Sequence, residues 1–363
     1  MSADLARHLQ QLIRPGDTLW WGQATAEPLT LTRALVEHRH AIAQGGRLGV
    51  FVGMAASDTL RPEQADVLDF FGYAAGGAHR QLADAGRLDI LPSHYSHLPG
   101  LIQGGVLPAD VLLLQVSKPD AEGRHSLGLV REYLPAVLAK ARVVIAEVNP
   151  SIPWTHGGPY LQAGDFALLV DAEHLPLDQP RGAIGAAEQA IARHIAGLIE
   201  DGATLQLGVG NLPEAVLAAL HGHRDLGLHT GAVTDGIAQL AQAGVLTNAQ
   251  KSIDRGVGIG GILMGSDILR RWADGMAQGA FGRGAGQHVA QGLVGVDEGR
   301  ARQLQAHRFQ QHLVGIGGAI ERAGAGSVVA RGFGLQQLFA RGFAGGVALA
   351  HRGLFLVGDA RCH

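Results

Sequence analysis

The run Leu205-Gln206-Leu207-Gly208-Val209-Gly210-Asn211-Leu212-Pro213-Glu214-Ala215-Val216 joins an apolar strand, a glycine turn and a segment that can open a helix on proline. A junction of this kind points backbone N–H groups at a small anionic site, so Gly208 and Gly210 are candidate ligand-binding residues. It is not the dinucleotide fingerprint, because Pro213 stands where a third glycine would let the helix approach its strand. A tight turn without a ligand is the competing reading. Two further runs, Gly256-Val257-Gly258-Ile259-Gly260-Gly261 and Gly315-Ile316-Gly317-Gly318, also permit close backbone approach. In a chain with 54 glycines each carries little weight alone.

Polar residues gather just beyond other apolar runs. Gln115-Val116-Ser117-Lys118-Pro119-Asp120-Ala121-Glu122-Gly123 has the make-up of a binding loop at a strand end, although Pro-Asp can simply make a turn. Glu147-Val148-Asn149-Pro150 follows Val143-Val144-Ile145, and a charged group there can equally link loops structurally. His229-Thr230-Gly231 and Asp235-Gly236 repeat the theme. Eighteen histidines invite a metal reading, but there is no HExxH, and the pairs His38/His40 and His221/His223 lack a third ligand at recognisable spacing. No metal is expected.

The elements that must position these residues alternate. Apolar strands are expected at residues 17–22, 48–54, 110–116, 141–148 and 165–170, and helices at 29–36, 59–68, 78–84 and 131–140. Continuous apolar strands alternating with helices imply a mostly parallel sheet covered on both faces. Residues 175–185, rich in proline, glycine and polar side chains, make the best boundary. Beyond it come a helix at 186–199, a strand at 203–208, a helix at 213–220 and strands near Gly260 and at 313–316. The expected domains are therefore 1–183 and 184–363, both α/β, with a ligand cleft between them. Residues 275–290 and 323–346 show no sustained period. A final strand at 354–357 has nothing after it to cover it, which favours pairing with another chain and hence a homo-oligomer.

Composition narrows the function. A formal charge of -3 gives no basic excess for a nucleic-acid backbone or an anionic membrane. The one cysteine, Cys362, excludes an intrachain disulfide framework and suits a reducing cytoplasm. The first fifteen residues lack a signal-peptide core, and no apolar run is long enough to span a bilayer.

As an ordered set, several motifs resemble the acetyl-CoA hydrolase/transferase family, whose members are mostly carboxylate CoA-transferases of two-lobed α/β fold. These are Glu27-Pro28, His94-Tyr95-Ser96, Gln115-Val116-Ser117 with Pro119-Asp120, Ser126-Leu127-Gly128 and Glu147-Val148-Asn149. The set continues through the Leu205 to Gly210 run with Pro213, then His229-Thr230, Asp235-Gly236 and Thr247-Asn248. Gly231 departs from it, standing where the family usually has a glutamate. Gly317-Gly318-Ala319-Ile320-Glu321 matches the frame of a family motif that carries a catalytic glutamate, with glycines for its asparagine and serine, and Arg322 and Ala323 for its valine and aspartate. The resemblance makes Glu321 the candidate nucleophile. The stretch Gly332 to Gly342, including Arg341, resembles the family's glycine loop and arginine-glycine pair, with Leu338 for an aspartate, and Gly345-Gly346 resembles a later glycine pair. The chain stops before the remainder of the family's usual second lobe, so the second domain is expected to be incomplete.

The resemblance implies CoA transfer from an acyl-CoA such as acetyl-CoA to a small carboxylic acid. A glutamate suits that chemistry: its carboxylate attacks the thioester carbonyl to give a mixed anhydride and free CoA thiolate, whose return forms a glutamyl-CoA thioester. Backbone N–H groups at Gly345 and Gly346 would stabilise the oxyanion, and loops near Lys118, Gly208, Gly210 and Arg341 would hold CoA. CoA is then a substrate, with no bound cofactor. Hydrolysis of the same anhydride by water is one alternative. A catalytically inactive CoA-binding or oligomer-partner protein, suggested by the altered neighbours of Glu321, is the other.

Overall fold

The computed structural model describes residues 2–156, 158–179, 182–277, 288–290, 349–350, 353–354 and 356–358. Its first sheet contains β1 (Thr18–Trp21), β2 (Leu48–Val52), β3 (Leu68–Gly72), β4 (Leu88–Ile90), β5 (Val111–Val116), β7 (Val143–Val148) and β9 (Leu168–Asp171). A short antiparallel pair, β6 (Arg124–His125) with β8 (Leu161–Gln162), lies beside it. The order β4-β3-β2-β1-β5-β7-β9 is parallel throughout. From β1 the chain builds outward through β2, β3 and β4, then returns to place β5, β7 and β9 on the other side. That reversal makes a topological switch point between β1 and β5, where open α/β sheets bind ligands beyond their carboxyl ends.

Two-residue periodicity explains why both faces of this sheet are covered. Leu19, Trp21, Val50, Val52, Val111, Leu113, Val143 and Ile145 pack on Leu5, Leu9, Ile13, Leu31, Leu35 and Ile42, which come from α1 (Ser2–Leu12), α2 (Leu29–Glu37) and α3 (Arg39–Ala43). The alternate residues Trp20, Phe51, Leu112, Leu114, Val144 and Ala146 face the other way. There Trp20 stacks on Phe51 at 4.0 Å between ring centroids, and Tyr133 meets Phe51 edge-on at 5.2 Å. The remaining helices of this half are α4 (Arg80–Asp84), α5 (Leu98–Gln103) and α6 (Leu134–Leu138).

The second sheet has the order β13-β12-β11-β10-β16. Its strands are β10 (Thr204–Gln206), β11 (Gly227–Val233), β12 (Val257–Leu263), β13 (His288–Ala290) and the antiparallel β16 (Leu356–Gly358). With it come α7 (Ala186–Ala196), α8 (Asn211–Ala219), α9 (Asp235–Gln242) and α10 (Asp267–Ala277), and a small hairpin of β14 (Leu349–Ala350) with β15 (Gly353–Leu354). The expected architecture, α/β with mostly parallel sheets and flanking helices, is the one the chain adopts.

Three expectations are corrected locally. Residues 59–68 form a 3-10 turn at Pro62–Asp66 followed by β3 rather than a helix, because Leu68, Phe70 and Gly72 alternate into the sheet. The helix expected at 131–140 shortens to Leu134–Leu138, opening with proline in its first turn. The final strand pairs with β10, so the described part of it has a partner within the chain.

The two sheets meet through backbone. Leu263 donates its N–H to the carbonyl of Leu129 at 2.7 Å, Arg131 donates to Gly261 at 3.1 Å, and Val130 bridges Ile262 antiparallel. Side chains add Thr25 Oγ1 donating to the Leu263 carbonyl at 2.7 Å and an Arg270–Asp178 ion pair at 2.8 Å.

Candidate active site

At the carboxyl ends of β1, β2 and β3 the chain places Gln23, Met54 and Tyr73, and Gln23 ties them together. Its carbonyl oxygen accepts from the Tyr73 hydroxyl at 2.6 Å and from the Met54 N–H at 2.9 Å. Its amide nitrogen donates to Glu132 Oε2 at 2.6 Å and lies 3.1 Å from the Tyr95 hydroxyl. Gly53 makes room: a Cβ there would stand 2.7 Å from the Gln23 side chain.

Glu132 comes from the connection just after the backbone bridge to β12, with φ of 35°. That left-handed conformation is uncommon for glutamate, and the bridge on one side and α6 on the other hold it. Burial pushes its carboxyl up to about 7, while hydrogen bonds from Tyr95 and Gln23 pull the other way. On its far side is Gly261 of β12. A Cβ on Gly261 would lie 3.5 Å from Glu132 Cγ and 3.8 Å from Oε1. The arrangement is a buried, titratable carboxyl between aromatic hydroxyls of the first half and bare backbone of the second.

The other acidic residues named by the sequence fix loops. Glu147 Oε2 accepts from the backbone N–H groups of Thr30 at 2.8 Å and Leu31 at 3.2 Å. It therefore satisfies the first turn of α2, whose own N-cap, Pro28, has no side chain to do so. Burial pushes Glu147 up to about 7 as well, with those N–H groups opposing. Glu27 accepts from Thr32 Oγ1 at 2.9 Å and Ser57 Oγ at 2.5 Å. Asn149 donates to Gln115 Oε1 at 2.7 Å and to the His174 carbonyl at 2.9 Å, which pins the ends of β5 and β7 to a following loop. Ser117 and Ser126 are buried in a similar web, Ser126 N–H donating to Ser117 Oγ at 2.9 Å.

Gly208 and Gly210 form the turn from β10 into α8. Gly210 has φ of 126°, a conformation that favours glycine. The turn is joined to β11 by Thr230, whose hydroxyl donates to the Leu207 carbonyl at 2.9 Å and accepts from the Leu207 N–H at 3.1 Å. Gly231 is exposed on β11 with no left-handed backbone, and a Cβ added there would meet nothing within 4 Å. Glycine is thus not imposed at the position where a glutamate was expected. His229 is lowered by burial and by nearby Lys251. Lys251 is buried, donates to the carbonyls of Leu228 at 2.9 Å and Val257 at 2.6 Å, and is pushed down to about 8 by burial. Glu321, Arg341, Gly345 and Gly346 lie outside the described residues.

Sequence reasoning missed Gln23, Tyr73 and Glu132. One signal was available for Glu132: Leu134-Pro135 marks a helix start, which leaves Arg131 to Tyr133 as connection rather than helix. Among the described residues no group of three or more His, Cys, Asp or Glu side chains could hold a metal, and no helix is long and apolar enough to cross a membrane.

Comparison with known proteins follows the same lines. The family model for the acetyl-CoA hydrolase/transferase N-terminal domain matches residues 5–161. A 4-hydroxybutyrate coenzyme A transferase from Clostridium kluyveri is 35% identical over 249 residues, covering 69% of this chain and 58% of the relative. A butyryl-CoA:acetate CoA-transferase from Anaerostipes caccae is 32% identical over 252 residues, covering 68% of this chain and 56% of the relative. The crystal structure of RipA from Yersinia pestis superposes with a TM-score of 0.70 at 25% identity, covering 79% of this chain and 67% of that one. The chain thus spans less than three-fifths of the length of these two curated relatives.

Proposed function

Because the chain belongs to the acetyl-CoA hydrolase/transferase family, we propose that it transfers CoA from an acyl-CoA to a small carboxylic acid through a glutamyl-CoA thioester. The observation that carries this reading is the placement of a buried carboxyl and two phenols at the carboxyl end of a parallel sheet, facing bare strand backbone of a second sheet. The open face beside Gly231, where a Cβ would meet nothing within 4 Å, is the room this reading gives the substrate. The similarity to relatives named as CoA-transferases supports transfer over hydrolysis.

In the proposed sequence a glutamate carboxylate adds to the thioester carbonyl, the C–S bond breaks, and CoA leaves as thiolate. The thiolate then attacks the glutamyl carbonyl of the anhydride, releasing the first carboxylic acid and leaving the enzyme thioester. The incoming carboxylate repeats the two steps in reverse. Glu321 is the proposed nucleophile, with Gly345 and Gly346 as oxyanion donors. The Gly208-Val209-Gly210 turn and Arg341 are proposed for CoA, in a chain divided at 183/184.

Purified protein incubated with acetyl-CoA and labelled succinate tests the reading, with succinyl-CoA and free CoA followed separately. Succinyl-CoA formation lost in Glu321→Ala is expected. Free CoA accumulating without acceptor would indicate hydrolysis instead. A second reading, CoA binding without turnover, is supported by Gly231, where the expected glutamate is missing although the strand has space for one. Turnover absent in the wild type but gained in Gly231→Glu would establish it.

A further inference from the structure

The carboxyl of Glu132 takes hydrogen bonds from Tyr95 and Gln23. Its Oε2 takes the Gln23 amide at 2.6 Å, while Oε1 lies toward Gly261. Beside Gly261 itself the fit is tight, since a Cβ there would stand 2.9 Å from the Gly231 carbonyl oxygen, and the open space lies one strand over, where a Cβ on Gly231 would meet nothing within 4 Å. Gln23 cannot swing away, because Tyr73 and the Met54 N–H fix its carbonyl end. Tyr95 stands over the same point, half-buried and edge-on to Tyr73 at 4.9 Å.

We propose that Glu132, positioned by Tyr95 and the Gln23 amide, forms the subsite that receives the free carboxylate substrate, beside the bare backbone of Gly231. The substrate class comes from the transfer reading; the subsite comes from the geometry. A carboxylic acid donates a short charge-assisted hydrogen bond to a carboxylate, whereas two carboxylates repel. Burial holds the Glu132 proton to about 7, so near neutral pH much of it is present to be donated. An apolar site that keeps an acid neutral for donation is a known device for binding anionic oxygen.

Among the described residues, the titratable groups facing Glu132 are the phenols of Tyr73, Tyr95 and Tyr133. Its neighbour Arg131 turns away and donates to the Gly158 carbonyl at 2.8 Å. From β12 the facing residue is Gly261, which brings no charge. Carboxylate affinity therefore follows the Glu132 proton, strong below about 7 and lost as pH rises through it.

Butyrate binding to the full chain, followed by ligand-observed NMR without CoA, tests this directly, since butyrate stays ionised across the range. From about pH 6 to about pH 8.5 wild-type affinity should fall at least roughly tenfold. Glu132→Gln, which keeps an N–H donor, should bind with little pH dependence, and Glu132→Leu should lose binding. Wild-type-like binding in Glu132→Leu overturns the proposal. If Glu132→Leu does not fold, a Glu132→Gln pH dependence equal to the wild type's overturns it. The expected pattern without succinyl-CoA formation would sink the transfer reading alone. Transfer with an unchanged butyrate KM in Glu132→Leu would sink the subsite alone.

Discussion

Glu132 and Glu147 are both buried carboxyls pushed up to about 7, but they meet different partners. Glu147 accepts two backbone N–H groups and caps the start of a helix; Glu132 accepts a side-chain amide and a tyrosine hydroxyl and lies against the backbone of Gly261. Both couple folding to pH with the same sign. Below the ordinary carboxyl value, 4.5, folded and unfolded chains are both protonated. Between that value and about 7 the unfolded chain has lost these protons and the folded chain keeps them, so stability falls as pH rises, and the loss is complete above about 7. Each group contributes on the order of 3 kcal/mol at most. Glu147→Gln should therefore melt with a smaller difference between about pH 5 and about pH 8 than the wild type, while its amide oxygen still accepts from α2. Thermal melts at both pH values check this, and equal differences for the two proteins would contradict it.

Glycines on adjacent strands should respond in opposite ways. A Cβ on Gly261 would stand 2.9 Å from the Gly231 carbonyl oxygen, which is strand backbone and cannot yield cheaply. Gly261→Ala should cost about 1–3 kcal/mol by overpacking, with the strain falling beside Glu132. Gly231→Ala should be neutral to slightly stabilising, within about 1 kcal/mol, because the space is open and a strand glycine is entropically costly. Denaturant midpoints of the two variants separate these outcomes, and equal losses would mean the strand contacts are misread. This contrast was not legible in the sequence, where Gly231 stood out only as a departure from a family glutamate and Gly261 only as the end of a glycine-rich run. The runs around 48–52, 111–116 and 143–148 were legible as strands because parallel burial makes them apolar throughout. β3 was hidden by exposed Asp69, and β11 by the polar His229 and Thr230. Glu27, Glu147 and Asn149 were visible as residues, but their loop-fixing roles depend on partners up to 117 positions away.

At the scale of the molecule, Glu132 exists as a site only because two sheets are joined beside it. The residues on either side of that joint belong to one buried cluster, which runs from Trp20, Leu112 and Leu134 through Val130 and Ile262 to Leu205, Leu228 and Leu246. Ile262 bridges Val130 by backbone, and its side chain is buried among residues of both halves. A chain built this way should lose its halves together rather than one after the other, since opening the joint exposes core on both sides. Ile262→Ala should cost about 2–5 kcal/mol. Under native conditions it should also speed amide exchange in β5 and in β11 by the same factor, because the slowest amides of both sheets would exchange through one shared opening. Hydrogen-exchange mass spectrometry on the wild type and the variant reads both strands at once. Acceleration confined to β11 would mean the first sheet holds its structure alone, and the carboxyl at the joint would then belong to a hinge between independent lobes instead of to one cooperative core.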